Sequence, residues 1–400
     1  MNAQRTILLS ISLGAPILSG LALFLVAEQS SGANSFAAVS SAMHECIAKQ
    51  EVAGVVTLIA TRDKVLHLEA AGFADIAAKT PMQTDAICWI ASMTKPITAT
   101  AVMMLQEEGK LSVDDPVAKY LPELGNLKTA DGKSAKLTLS HLLTHTSGMP
   151  EVTGEQYKTA HSLADVIPFY VGKPLQFEPG SKWQYCQSGI ISLGRIVEIV
   201  SGESFPAFLQ KRLFDPLGMK DTTFYLSSEQ FSRLAMTYRR TQAKLEEEPL
   251  DFRGRLPTDH DRYPAPNGGL FSTAPDYARF CRMILNQGTL DGRRYLKPES
   301  VKLMTSVQTG DLKTGFTPGN GWGLGWCVVR QPQGITAMFS AGTFGHGGAY
   351  GTQAWIDPVK QIVYVLMFQR SNFPTNADDT EVRVAFQTAA AQALGFGAER

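Results

Sequence analysis

The chain has 400 residues, 44% of them hydrophobic and 18% charged, and its 37 Lys plus Arg are balanced by 37 Asp plus Glu. That length carries a full hydrophobic core and the composition is globular, which excludes a disordered chain or a small disulfide-stapled scaffold. The balanced charge, with no basic run, excludes an electrostatic reason to bind nucleic acid or an anionic membrane surface.

At the N-terminus Arg5 precedes an uncharged stretch from Thr6 to Ala27, rich in Leu and Ile, and charge returns at Glu28. A positive residue before an apolar segment reads as a secretory signal. Ser31-Gly32-Ala33 supplies the small residues of a cleavage site, so residues 1–33 are expected to be removed. The alternative is an uncleaved membrane anchor, because the stretch is long enough to span a bilayer. Either way the rest of the chain is expected outside the cytoplasm, in the periplasm or the medium. Contact with a membrane is expected only if the segment stays attached.

Residues 36–50 predict a helix, with Phe36, Val39, Met43 and Ile47 spaced three or four apart. Val55 to Ala60 and Val65 to Ala70 predict two strands, joined by a turn at Arg62-Asp63-Lys64. Ala91 to Gly109 predicts a strong helix with Ile97, Ala101, Met104 and Leu105 on one face. Helices are then expected at Leu139–Thr144, Ile190–Ser201, Phe205–Leu213 and Ala274–Asn286. The acidic run Glu246-Glu247-Glu248 predicts a solvated loop. Strand character returns at Gly325–Val329, Gln353–Ile356 and Ile362–Phe368, and Glu381–Leu394 closes the chain as a helix.

Strands at both ends and helices between them predict an α/β fold of the α+β type. It is an antiparallel sheet from the N- and C-terminal segments, flanked by helices and carrying a mostly helical insertion. The mature domain is expected over 34–400, with a sheet part at about 34–136 and 311–400 and a helical part at about 137–310. Cys46, Cys88, Cys186, Cys281 and Cys327 are far apart, lack C-x-x-C spacing and are expected as buried small apolar residues.

Three stretches carry candidate chemistry. In Ser92-Met93-Thr94-Lys95 the serine and lysine lie one helical turn apart, about 5 Å along the axis. A serine hydroxyl needs a neighbouring base to become a nucleophile, and a lysine serves if burial or a nearby cation lowers its pKa. The start of a helix adds N–H groups suited to an oxyanion. Tyr185, in Trp183-Gln184-Tyr185-Cys186-Gln187, stands at a loop–helix junction and is a second candidate base. Gly345-His346-Gly347-Gly348-Ala349-Tyr350-Gly351 places a histidine among glycines that admit close backbone approach.

In this order and spacing the three stretches resemble the S-x-x-K, Y-x-N and K-T-G or H-x-G motifs of the serine β-lactamase and penicillin-binding-protein superfamily. The likeness is to class C β-lactamases, DD-peptidases and related carboxylesterases, with H-x-G on an edge strand. Leu142-Leu143-Thr144-His145-Thr146-Ser147-Gly148, Phe214-Asp215-Pro216-Leu217-Gly218-Met219 and Gly268-Gly269-Leu270-Phe271-Ser272-Thr273 also match that family's habits, over about residues 38–395. The resemblance implies a β-lactamase/transpeptidase-like fold and Ser92 as the acylated nucleophile. Lys95 and Tyr185 would share the proton transfers, and His346 would stand where the lactamases carry a lysine. The oxyanion would be bound by the N–H groups of Ser92 and Ala349, the latter following His346-Gly347-Gly348. Gln187 would contact the substrate.

Two departures bear on substrate. Gln187 replaces the asparagine of Y-x-N and reaches one methylene further. His346 replaces a permanently charged lysine, and at an ordinary pKa near ~6.5 its hold on a β-lactam carboxylate would weaken with rising pH. The expected function is therefore hydrolysis of an ester or amide through an acyl-enzyme, esterase-like or D-Ala-peptidase-like, with β-lactamase as the alternative. The rival from another class is a peptidoglycan or β-lactam binding protein that is acylated without turnover. The expected partner is a small ester, a β-lactam or a peptidoglycan-type peptide. No cofactor is expected, and no metal, although His141 and His145 have helical i, i+4 spacing and Asp259-His260-Asp261 is a second cluster of ligand types.

Overall fold

The run Gly54–Ala60 has no polar face, so it needs cover on both sides, and all seven residues are buried. The structure, a computed structural model, describes residues 36–396 apart from 153, 243, 251, 253, 316 and 375–378. The apolar stretch from Thr6 to Ala27 and the expected cleavage near Asn34 lie outside the described residues. Among the described residues no helix is long and apolar enough to cross a membrane.

The main sheet comprises β1 (Gly54–Ala60), β2 (Val65–Asp75), β3 (Thr80–Pro81), β4 (Asn320–Trp322), β5 (Cys327–Val329), β6 (Phe344–Gly347), β7 (Gln353–Asp357) and β8 (Ile362–Met367). Their order is β4-β5-β6-β7-β8-β1-β2-β3. Every neighbouring pair is antiparallel, and β1 joins the two ends of the chain through the pairing Val56↔Met367. The strand holding His346 is therefore β6, inside the sheet, and the edge position expected for it is corrected: β4 and β5 lie beyond it.

Alternation sorts the strand residues between two cores. Val55, Ile59, Trp355, Tyr364 and Leu366 face the helices α1 (Ala37–Ala48) and α6 (Glu381–Ala393), meeting Val39, Met43, Val382 and Phe386. Val56, Leu58, Ile356, Val363 and Val365 face the larger core. There they meet α5 (Ala274–Leu285), which Thr273 caps by accepting the Asp276 N–H. This helix lies in the middle stretch of sequence yet packs on the sheet.

Between sheet and insertion run α2 (Thr94–Glu107), α3 (Leu139–Leu143) and α4 (Gln187–Ser201). The one-faced helix expected at 91–109 is instead buried on every side from Thr94 to Leu105. Its threonines make that tolerable by bonding to carbonyls: Thr100 Oγ1 to Pro96 O at 2.9 Å and Thr98 Oγ1 to Pro266 O at 2.7 Å. The acidic run is not a loop. Lys244–Glu247 is a strand paired with Tyr238–Thr241, its glutamates exposed. The five cysteines are buried, and among the described residues none forms a disulfide.

Candidate active site

Ser92 stands at a forced turn. Residues Ala91–Met93 form a short 3-10 helix before α2, and Ala91 has φ +43°. A left-handed alanine costs about 1–2 kcal/mol, so its surroundings must hold it. Thr94 Oγ1 donates to Ala91 O at 2.7 Å and accepts the Leu270 N–H at 3.2 Å. The Ile90 N–H donates to Leu270 O at 3.0 Å. As a first-turn residue, Ser92 presents an N–H with no intrahelical acceptor.

Lys95, one turn on, is fully buried. Its Nζ lies 2.9 Å from Ser92 Oγ, donates to Asn267 O at 2.7 Å and sits 4.6 Å from the centre of the Tyr185 ring. Burial brings its pKa down from 10.5 to about 7, against the opposing charge of Glu151. A large fraction of it is therefore neutral near pH 7, able to take a proton from Ser92 Oγ.

Tyr185 lies in an aromatic wall, its ring 4.5 Å from His145, 6.0 Å from Trp322 and 6.2 Å from His346. His346 is 6% exposed. Its Nδ1 is 2.7 Å from Gly347 O. A carbonyl only accepts, so Nδ1 carries the proton and Nε2, which is buried without a partner, is an acceptor. Burial first, and the Lys95 charge second, push His346 down to about 3. This corrects the ordinary pKa expected from sequence. His346 is therefore neutral near pH 7.

Gly348 brings the strand turn against the serine turn. A Cβ there would come 2.6 Å from Ile90 O and 2.2 Å from Thr352 Oγ1. Its N–H is taken by Thr352 O at 2.7 Å, and the next residue, exposed Ala349, lines the cleft. Ser92, Gln187 and Ala349 line one cavity of about 260 Å³. Gln187 is the first residue of α4, three positions before the helix start expected from sequence. Its Oε1 accepts from Asn267 Nδ2 at 2.9 Å, so its own amide N–H groups are left to donate. Thus all eight candidates, Ser92, Lys95, Tyr185, Gln187, His346, Gly347, Gly348 and Ala349, are brought together.

Sequence reasoning missed three contributors. Asn267 holds Lys95 through its carbonyl and Gln187 through its amide. Glu151 accepts the Gln187 N–H. His145, fully buried with φ +60°, accepts the Cys186 N–H at Nδ1 at 3.1 Å and backs Tyr185. It lies beyond the end of α3, so the helical spacing with His141 is not realised. The available signals were the stretches around His145 and just after Asn267, both already matched to the family.

The family model described as Beta-lactamase matches residues 39–388. Protein Rv1367c of Mycobacterium tuberculosis is 35% identical over 361 residues, spanning 80% of this chain and 86% of its own. Esterase EstB of Burkholderia gladioli is 30% identical over 357 residues, spanning 80% of this chain and 87% of its own. Among solved structures, EstCE1, described as a hydrolase with promiscuous acyltransferase activity, superposes with a TM-score of 0.77 at 26% identity, over 91% of this chain and 99% of that one.

Proposed function

We propose, from the premise that this chain belongs to the beta-lactamase family, that it is an esterase working through a Ser92 acyl-enzyme. Members of the family are serine hydrolases, and this chain is one. The observation that carries the assignment is the buried Lys95 amine, 2.9 Å from Ser92 Oγ with its pKa near 7.

Neutral Lys95 takes the hydroxyl proton as Ser92 Oγ attacks the ester carbonyl carbon. The carbonyl oxygen gains charge and is met by the N–H groups of Ser92 and Ala349. As the C–O bond to the alcohol breaks, Lys95 and Tyr185 return a proton to the leaving oxygen. A water then attacks the acyl carbon, with the same pair as base, and Ser92 is released with the free acid. Gln187, held by Asn267, donates to the acyl part.

The choice of ester over β-lactam rests on His346. Its Nε2 is a neutral acceptor, so this wall of the cleft offers no cation to a β-lactam carboxylate. We place the hydrolase in residues 34–400 and read 1–33 as an export segment, which N-terminal sequencing of the secreted form tests.

The experiment is a rate comparison of the purified protein on p-nitrophenyl butyrate, nitrocefin and a D-Ala-D-Ala peptide. The ester is expected to give the highest kcat/KM. A higher value for nitrocefin would overturn the substrate choice. An acyl adduct that persists for hours by intact mass would instead make the protein a sensor.

A further inference from the structure

The cavity at Ser92 is one-sided in charge. Lys158, Arg255 and Arg262 line it, and no Asp or Glu does among the described residues. Lys158 and Arg255 have acidic partners toward solvent, Glu155 and Asp261, each at 2.8 Å. Arg262 does not. It is 4% exposed, deeper than the other two, and no carboxylate among the described residues forms an ion pair with it.

Its guanidinium is held between rings, 4.7 Å from the Phe252 centre and 4.9 Å from Tyr225. Nη2 donates to Phe224 O and, at 3.2 Å, to Pro257 O, and Nε is buried without a partner. Burial lowers its pKa only to about 10, so it stays charged at neutral pH. A buried cation with carbonyl and ring contacts, and only the charge of Asp259 acting on it without an ion pair, is an expensive arrangement for packing. It suits a site that waits for an anion, because the guanidinium fork matches a carboxylate.

We propose that Arg262 is a specificity-determining residue that receives a carboxylate on the substrate, so that the preferred substrates are esters with a carboxylate remote from the scissile bond, such as monoesters of dicarboxylic acids. This inference rests on the esterase reading. It also moves anion recognition from the strand wall, where His346 is neutral, to the loop before Asn267.

The test compares kcat/KM for mono-p-nitrophenyl glutarate and its neutral isostere, p-nitrophenyl 4-carbamoylbutanoate. The wild type is expected to prefer the anionic ester at least tenfold, chiefly through KM. Arg262→Met is expected to lower that preference at least tenfold, and Arg262→Lys to restore part of it. Should Arg262→Met fail to fold, competitive inhibition of the wild type serves: glutarate is expected to bind at least tenfold more tightly than glutaramide. Equal hydrolysis of the two esters by the wild type, equal inhibition, or an unchanged preference in folded Arg262→Met would overturn the Arg262 assignment alone. Failure to hydrolyse either ester would overturn the esterase reading beneath it.

Discussion

The helix wall and the strand wall of the cleft each present one buried base, and burial acts on the two in opposite functional directions. Lys95, on α2, starts at 10.5 and is brought down to about 7, into the range where it exchanges protons. His346, on β6, starts at 6.5 and is pushed to about 3, out of that range. Desolvation is the largest cause for both and penalises the charged form of each; the Glu151 charge opposes it at Lys95 and the Lys95 charge adds to it at His346, but the starting pKa decides the outcome. One dry site thus makes a base of a lysine and a neutral acceptor of a histidine. The lesson concerns motif reading: a histidine in place of a lysine is not a weaker cation here but no cation at all.

The largest effect is expected at the point the helix wall serves. Ser92→Ala should abolish covalent labelling by a fluorophosphonate, read by intact mass, and labelling of the variant at the wild-type level would contradict the nucleophile. Next, Lys95→Ala should lower kcat by ~10²–10⁴-fold, the span for losing a general base, with KM little changed. A variant altered in KM alone would remove Lys95 from proton transfer. Tyr185→Phe should lower kcat by at least ~10²-fold on the same logic.

The strand wall gives a smaller and selective effect. His346→Lys supplies the missing cation, so kcat/KM for nitrocefin should rise relative to p-nitrophenyl butyrate by roughly tenfold, near the low end for a charged hydrogen bond. The added ammonium stands close to Lys95 and should lower its pKa further, moving the pH–rate curve to lower pH. No change in the substrate ratio would mean that the charge at this position is irrelevant to selectivity.

The two walls also differ in how far sequence revealed them. The helix wall was legible because Ser92 and Lys95 are local: one turn fixes their separation. The strand wall was legible only through its resemblance to the H-x-G motif, because a strand of four residues, Phe344–Gly347, offers almost no alternation to recognise. The same brevity hid Asn320–Trp322 and with it the interior position of β6. The start of α4 at Gln187 was missed because its cap, Cys186, makes no side-chain capping bond. The long strands were legible, since Ile362–Met367 is a continuous apolar run and Gly54–Ala60 is one broken by Thr57 alone. What no local pattern carried was the pairing of Asn267 with Lys95 and Gln187, separated by 172 and 80 positions. Nor did any motif give the depth of burial that sets both pKa values.

That depth is what the most direct measurement addresses: the pH dependence of the Ser92 acylation rate, followed with a fluorophosphonate from about pH 5 to pH 9 in the wild type and in His346→Gln. Lys95 acts when neutral, so the rate should climb with pH through a single midpoint near 7 and level off above it. His346→Gln should keep that single rise and add no second inflection. A midpoint near the ordinary histidine value of ~6.5 that vanishes in His346→Gln, or a rate that does not change with pH, would contradict the account.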